Sequence, residues 1–164
     1  MKKLLFFTIL FVSVTDINAE LIEEPERLTH ESYFEVGVTA WIPAGLNINA
    51  GYWYGRVGIR LSGGYWDWLN SKFGYGYQCN INYKLSENKI WLHNLGFIIG
   101  KSESGPVSSE EPCCDWTYIG FAYDMYYKGF FLEAQLQKPI EVRRGSFKEI
   151  VPLFQLGYIK RFLP

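Results

Sequence analysis

The chain has 164 residues, 48% of them hydrophobic and 18% aromatic, with 16 basic and 17 acidic residues and a net charge of −1. That balance excludes nucleic acid as a partner, which would show as a basic excess. Three cysteines and two histidines, at no workable ligand spacing, provide no metal centre, no cofactor and no disulfide framework of the kind small secreted domains use.

Residues 1–19 read as a cleaved secretory signal peptide. Lys2 and Lys3 make a basic start, Leu4 to Val14 an apolar core, and Ile17-Asn18-Ala19 a cleavage site. The apolar core is shorter than the roughly 20 residues of a membrane helix, and no cysteine stands at the cleavage site to accept a lipid. With Lys2, Lys3 and Asp16 removed, 14 basic and 16 acidic residues remain, on a length suited to one domain. Residues 20–31 (ELIEEPERLTHE) are acidic, contain Pro25 and have no periodic apolar face, so they predict a flexible lead-in with His30 in a solvated tail. Residues 32–164 are the expected folded domain.

There the apolar residues recur every second position, the period of a strand with one greasy face. From Tyr33 to Ile42, Phe34, Val36, Val38 and Ala40 alternate with Tyr33, Glu35, Gly37 and Thr39. After Pro43-Ala44-Gly45, Leu46, Ile48, Ala50 and Tyr52 oppose Asn47, Asn49 and Gly51. Tyr54-Gly55-Arg56 reverses the chain into a third strand, with Val57, Ile59 and Leu61 against Arg56, Gly58, Arg60 and Ser62, followed by a loop from Gly64 to Lys72. The fourth strand, Phe73 to Leu85, is the most regular: Phe73, Tyr75, Tyr77, Cys79, Ile81, Tyr83 and Leu85 face away from Gly74, Gly76, Gln78, Asn80, Asn82 and Lys84. A fifth has His93, Leu95, Phe97 and Ile99 on one face and Asn94, Gly96, Ile98 and Gly100 on the other. A long loop is expected from Lys101 to Asp115. The sixth strand sets Thr117, Ile119, Phe121, Tyr123 and Met125 against Tyr118, Gly120, Ala122 and Asp124. Lys128-Gly129 turns into a seventh, with Phe130, Leu132, Ala134 and Leu136 against Glu133, Gln135 and Gln137. A basic loop from Lys138 to Ile150 leads to the eighth, where Phe154, Leu156, Tyr158 and Phe162 oppose Gln155, Gly157, Ile159 and Arg161.

Eight strands of about ten residues can cross a bilayer at a tilt and close into a small barrel, and closure leaves no edge for lipid to desolvate. Turns after strands two, four and six are tight, whereas strands three, five and seven lead into long connections. A greasy face continuous over eight strands would be untenable in water, so it is assigned to lipid and the polar face to the lumen. The prediction is an all-β fold: a closed, antiparallel, eight-stranded, up-and-down transmembrane β-barrel. Trp41, Trp66, Trp68 and Trp116 toward the long-loop rim, and Trp53 and Trp91 toward the short-turn rim, are expected to form two interfacial aromatic belts. Glu35, Arg56, Arg60, Asp124, Glu133 and Arg161 must pair in the lumen, because isolated charges do not stay ionised away from water. Cys79 reads as a small apolar residue on the lipid-facing side; for adjacent Cys113 and Cys114 a vicinal disulfide, two thiols and a cross-link to another chain all stay open.

Leader, strand count, loop alternation and aromatic belts together resemble the small eight-stranded outer-membrane barrels, such as the OmpA transmembrane domain and OmpX-like proteins. The final strand, with Phe154, Leu156, Tyr158 and Phe162, is similar to the closing strand of that family, which the outer-membrane assembly machinery reads; Lys160 interrupts it and Leu163-Pro164 follow it. The resemblance implies a bacterial outer-membrane location and contact with outer-membrane lipid and lipopolysaccharide. The expected function is non-enzymatic, with the extracellular loops serving adhesion, partner binding or envelope integrity through an extracellular protein or surface ligand. Arg143, Arg144 and Lys148 are the candidate contacts to lipopolysaccharide phosphates. The alternatives are a lipid A acyl hydrolase or transferase and a soluble lipocalin-like carrier. Against the enzyme, His30 lies in the lead-in and His93 on the lipid-facing parity.

Overall fold

The alternation of the sequence closes on itself. In the computed structural model, which describes residues 32–41, 44–68, 72–87, 90–106, 114–144 and 149–162, eight strands form one barrel in sequential order. They are β1 (Ser32–Trp41), β2 (Gly45–Tyr54), β3 (Val57–Trp68), β4 (Lys72–Glu87), β5 (Trp91–Pro106), β6 (Cys114–Tyr127), β7 (Phe130–Arg144) and β8 (Val151–Phe162). Every neighbouring pair is antiparallel, and β1 closes against β8 from Phe34↔Phe162 to Trp41↔Gln155. The predicted signal peptide and lead-in, His30 included, lie outside the described residues.

The barrel is apolar outside and polar inside. Val36, Ile48, Leu61, Ile81, Phe97, Phe121, Leu136 and Phe154 are exposed on the outer wall, while Glu35, Asn49, Arg60, Asn80, Asp124, Glu133 and Gln155 are fully buried. An exposed wall of that kind is stable only against lipid, so the fold is a transmembrane barrel. Its height fits: on β5 the outward apolar run from Trp91 ends at Ile99, before Lys101. At ~3.3 Å per residue and a tilt near 40° that run rises on the order of 20 Å, close to the apolar band of outer-membrane barrels.

The short-turn rim is made by local chemistry. Lys128 and Gly129, with φ of 48° and 89°, form the two-residue turn joining β6 to β7, in the left-handed geometry that matches strand twist. Gly55 (φ 58°) plays the same part between β2 and β3. The opposite rim departs from expectation. The ladder does not stop at Lys101: β5 continues to Pro106, paired from Lys101↔Thr117 to Ser104↔Cys114 with β6. Likewise β7 runs through the predicted basic loop to Arg144, with bulges near Asp115 and Thr117 of its partner. Above the apolar band a strand needs backbone hydrogen bonds but no alternation of greasy residues, so its end is silent in the hydrophobic pattern.

Strand extension is one-sided. β7–β8 pairing stops at Gln137↔Val151 and β2–β3 pairing at Leu46↔Tyr65, whereas β3–β4 reaches Trp68↔Lys72, β4–β5 reaches Lys72↔Pro106 and β6–β7 reaches Asp115↔Arg144. A sheet built mainly from β4 to β7 therefore stands beyond the barrel. Along 138–144 its β7 edge pairs with no strand of the described residues on the β8 side.

Candidate functional site

The lumen gathers the charges that parity sends inward. Arg60 of β3 crosses the barrel, donating from Nη2 to Asp124 Oδ2 at 2.9 Å and to Glu133 Oε2, and from Nη1 to the Tyr126 hydroxyl at 2.6 Å. Tyr126 in turn donates to Glu35 Oε2 at 3.4 Å, and Arg60 Nη1 lies 3.8 Å from Glu35 Oε1. The guanidinium also stacks 4.5 Å from the centre of the Phe131 ring. Glu133 is the acceptor hub: Asn80 (2.7 Å), Gln78 (3.2 Å) and Gln135 all donate to it besides Arg60. Space for this comes from glycine, since a Cβ on Gly51 would lie 2.7 Å from Glu35 Cγ.

Of the six predicted lumen charges, four meet: Glu35, Arg60, Asp124 and Glu133. Arg161 pairs in register with Glu35, but its side chain goes to the short-turn mouth, 3.4 Å from Glu87 and 4.6 Å from the centre of the Tyr126 ring. Arg56 does not join them. It lies exposed in the β2–β3 turn, where the chain is reversing and parity no longer aims a side chain inward. Two charges went unread at this mouth: Lys84 donates to Glu87 at 2.7 Å and lies over the Tyr33 and Trp53 rings. Their signal was available for Lys84, which shares parity with Asn80 and Asn82.

The tryptophan belts need correction. Trp91 is exposed on the outer wall and Trp41 is exposed at the end of β1, opposite Gln155, but Trp53 is fully buried in the lumen, stacked on Tyr33, and Trp116 is 7% exposed in an internal cluster with Ile98, Tyr118 and Ala122. Trp53 has the parity of Asn49 and Gly51, and Trp116 that of Tyr118, so alternation overrides their place near strand ends. Exposed tyrosines fill the outer wall instead, among them Tyr52, Tyr54, Tyr65, Tyr75, Tyr77 and Tyr83. Trp66 and Trp68 belong to β3, with side chains outside the described residues.

On the extension, Tyr75 and Lys101 both donate to Glu103, and Lys101 lies 3.3 Å from Asp115. Desolvation alone would push the Glu103 carboxyl up, but the hydrogen bonds from Lys101 and Tyr75 prevail and hold it below the ordinary carboxylate range. Arg143 is exposed there and donates to Glu141 at 2.9 Å. Arg144 stands opposite Asp115 in the ladder with its side chain outside the described residues, as are Lys148 and Cys113. Cys114 opens β6 and Cys79 faces outward in β4 between Tyr77 and Ile81. His93 Nδ1 meets the Tyr123 hydroxyl at 2.7 Å on the outer wall, beside Trp91.

An outward apolar band, a side-chain-filled polar lumen and a sheet standing past one rim define a small membrane-spanning β-barrel. No family model matches the chain, and no curated protein matches it. Among solved structures it is similar to Ail, the attachment invasion locus protein of Yersinia pestis, with 14% sequence identity, coverage of 81% of this chain and 99% of that chain, and a TM-score of 0.40.

Proposed function

We propose that this is a non-enzymatic bacterial outer-membrane barrel that binds an extracellular protein or surface ligand along its projecting sheet. The observation that carries the reading is the register: β7 residues 138–144 outrun β8 by seven positions, which leaves ~23 Å of strand edge, its N–H row broken at Pro139 and a partner strand best accommodated along residues 140–144. Lys138, Glu141 and Arg143 are exposed along it, and charge on an edge suppresses self-pairing while leaving it open to a complementary partner. The filled lumen favours binding over transport, and His93 engaged with a tyrosine on the lipid-facing wall favours binding over acyl chemistry.

The location is tested by membrane fractionation with boiled and unboiled gel electrophoresis. An outer-membrane band with heat-dependent mobility is expected; a soluble protein without it would overturn the reading. The edge is tested by comparing cells bearing the intact protein with cells bearing Ile140→Pro/Val142→Pro, which puts two residues without an N–H donor into the β7 extension. Adhesion to immobilised extracellular-matrix proteins should fall at least tenfold while heat-dependent mobility is kept. Equal adhesion by both would refute the edge.

A further inference from the structure

Two lysines at the short-turn rim stand side by side without a carboxylate. Lys160 breaks the apolar run of β8 on the parity of Phe154, Leu156 and Tyr158, which faces lipid, and it pairs in register with Val36, exposed on the outer wall. Lys128 is exposed in the turn between β6 and β7. The β7–β8 ladder brings them together. Phe130 pairs with Tyr158, the Gly129 carbonyl accepts from the Ile159 N–H at 2.8 Å, and Lys128 and Lys160 come next along that seam. Neither meets a carboxylate among the described residues: Glu87, at the mouth of the lumen, is engaged by Lys84 at 2.7 Å and by Arg161 at 3.4 Å. Each ammonium lies instead beside a ring, Lys128 Nζ 5.9 Å from the centre of Tyr127 and Lys160 Nζ 5.5 Å from that of Phe162.

We propose that Lys128 and Lys160 form a binding site for the phosphate of an anionic glycerophospholipid in the leaflet on the short-turn side. Two ammonium groups drawn to one seam repel each other, and an anion between them removes that cost. Hydrocarbon gives an ammonium nothing to bond, so the long stem of Lys160, on the lipid-facing wall two residues before the end of β8, serves to carry its head to the membrane boundary, where lipid phosphates lie. Around the pair the wall is apolar. Phe34, Val36 and Phe162 are exposed on it, and Phe130 and Tyr158 meet edge to face at 6.0 Å. A ligand that fits both parts has a phosphate for the lysines and acyl chains for the wall. A zwitterionic lipid brings its own cation beside the phosphate and competes with the lysines, whereas a lipid with an uncharged headgroup alcohol does not; the pair therefore selects the anionic class. This site lies on the rim opposite Arg143, and it gives the charge that interrupts the closing strand a use.

The test is native mass spectrometry of the folded barrel released from detergent micelles doped with phosphatidylglycerol or with phosphatidylcholine of the same acyl chains. The intact protein should hold phosphatidylglycerol about tenfold more tightly than Lys128→Gln/Lys160→Gln does, the scale of two lysine contacts at an anionic lipid surface. Both proteins should hold phosphatidylcholine alike, and Lys128→Arg/Lys160→Arg should keep the preference. Arg56→Gln, which removes an exposed charge from the β2–β3 turn of the same rim, should bind as the intact protein does. An intact barrel that does not prefer phosphatidylglycerol, a measurement that needs no variant, would overturn the proposal, and so would equal binding by the double glutamine variant. An equal loss from Arg56→Gln would show that rim charge in general draws the lipid and refute the site. Inorganic phosphate equimolar with the lipid should leave binding unchanged; displacement by it would assign the pair to a free anion and refute the lipid.

Discussion

Arg60 is the residue whose loss the barrel should feel most. Replacing it by Gln removes the bonds to Asp124, Glu133 and Tyr126 and the stack on Phe131, while the carboxyls stay buried. Glu133 keeps Asn80, Gln78 and Gln135, but Asp124 loses the donor on Oδ2. Breaking one side of a buried ion pair costs about 3–5 kcal/mol, so Arg60→Gln should lower unfolding free energy by that amount. Neutralising the partners as well, in Arg60→Gln/Asp124→Asn/Glu133→Gln, should recover all but ~1 kcal/mol, the scale of the hydrogen bonds not remade. Urea unfolding in lipid vesicles, followed by tryptophan fluorescence and by the fraction of unboiled protein at folded mobility, measures both. A single-variant loss below ~1 kcal/mol, or a triple variant no more stable than the single, would refute the view that Arg60 balances buried charge.

Three other outcomes follow from the geometry. Leu61→Arg, on the outer wall in mid-band, should cost ~2–4 kcal/mol in vesicles, whereas Arg143→Leu on the extension should change stability by less than ~0.5 kcal/mol; equal effects in the same urea assay would invalidate the inside–outside assignment. Gly58→Ala would drive a methyl group into the Trp53 indole and should destabilise by ~1–3 kcal/mol, with a shifted tryptophan emission as the accompanying sign; an unshifted spectrum and an unchanged urea midpoint would contradict the packing. The Glu103 carboxyl is held below its unfolded value, so its contribution to the extension is complete above the ordinary Glu range and is lost as the pH falls through the lower, folded value. Pepsin cleavage within residues 101–104 should therefore accelerate at acid pH in the intact protein and be less pH-dependent in Glu103→Gln; identical profiles would count against it.

The barrel was legible because one rule, alternation, acts on every strand that crosses lipid, and a register error of one residue would turn a greasy face inward. Glu35, Arg60, Asp124 and Glu133 followed from that rule directly. Where the rule ceases, reading ceased with it. Arg56 was assigned inward by continuing parity into a turn, and the ends of β5 and β7 were missed because polar residues such as Lys101, Ser102 and Glu141 carry no alternating signal although their backbones remain paired. Trp53 and Trp116 were placed by residue preference for the interface, when parity, the stronger constraint, put them inside. The one-sided projection was invisible for a further reason: it depends on which strands pair at the rim, and pairing length is not written in any single strand.

The Arg60 contacts bear on how the barrel finds its register. Arg60 lies 64 positions before Asp124 and 73 before Glu133, so its bonds form only after β3, β6 and β7 have curled round to face one another. A strand slipped by two residues would still present greasy side chains to lipid and satisfy the hydrophobic pattern. It would also carry Glu133 past the reach of the guanidinium, leaving both charges stranded. Hydrophobicity thus chooses which face looks inward, and the central ion cluster acts as a vernier that distinguishes the native alignment from its nearest even-numbered impostors.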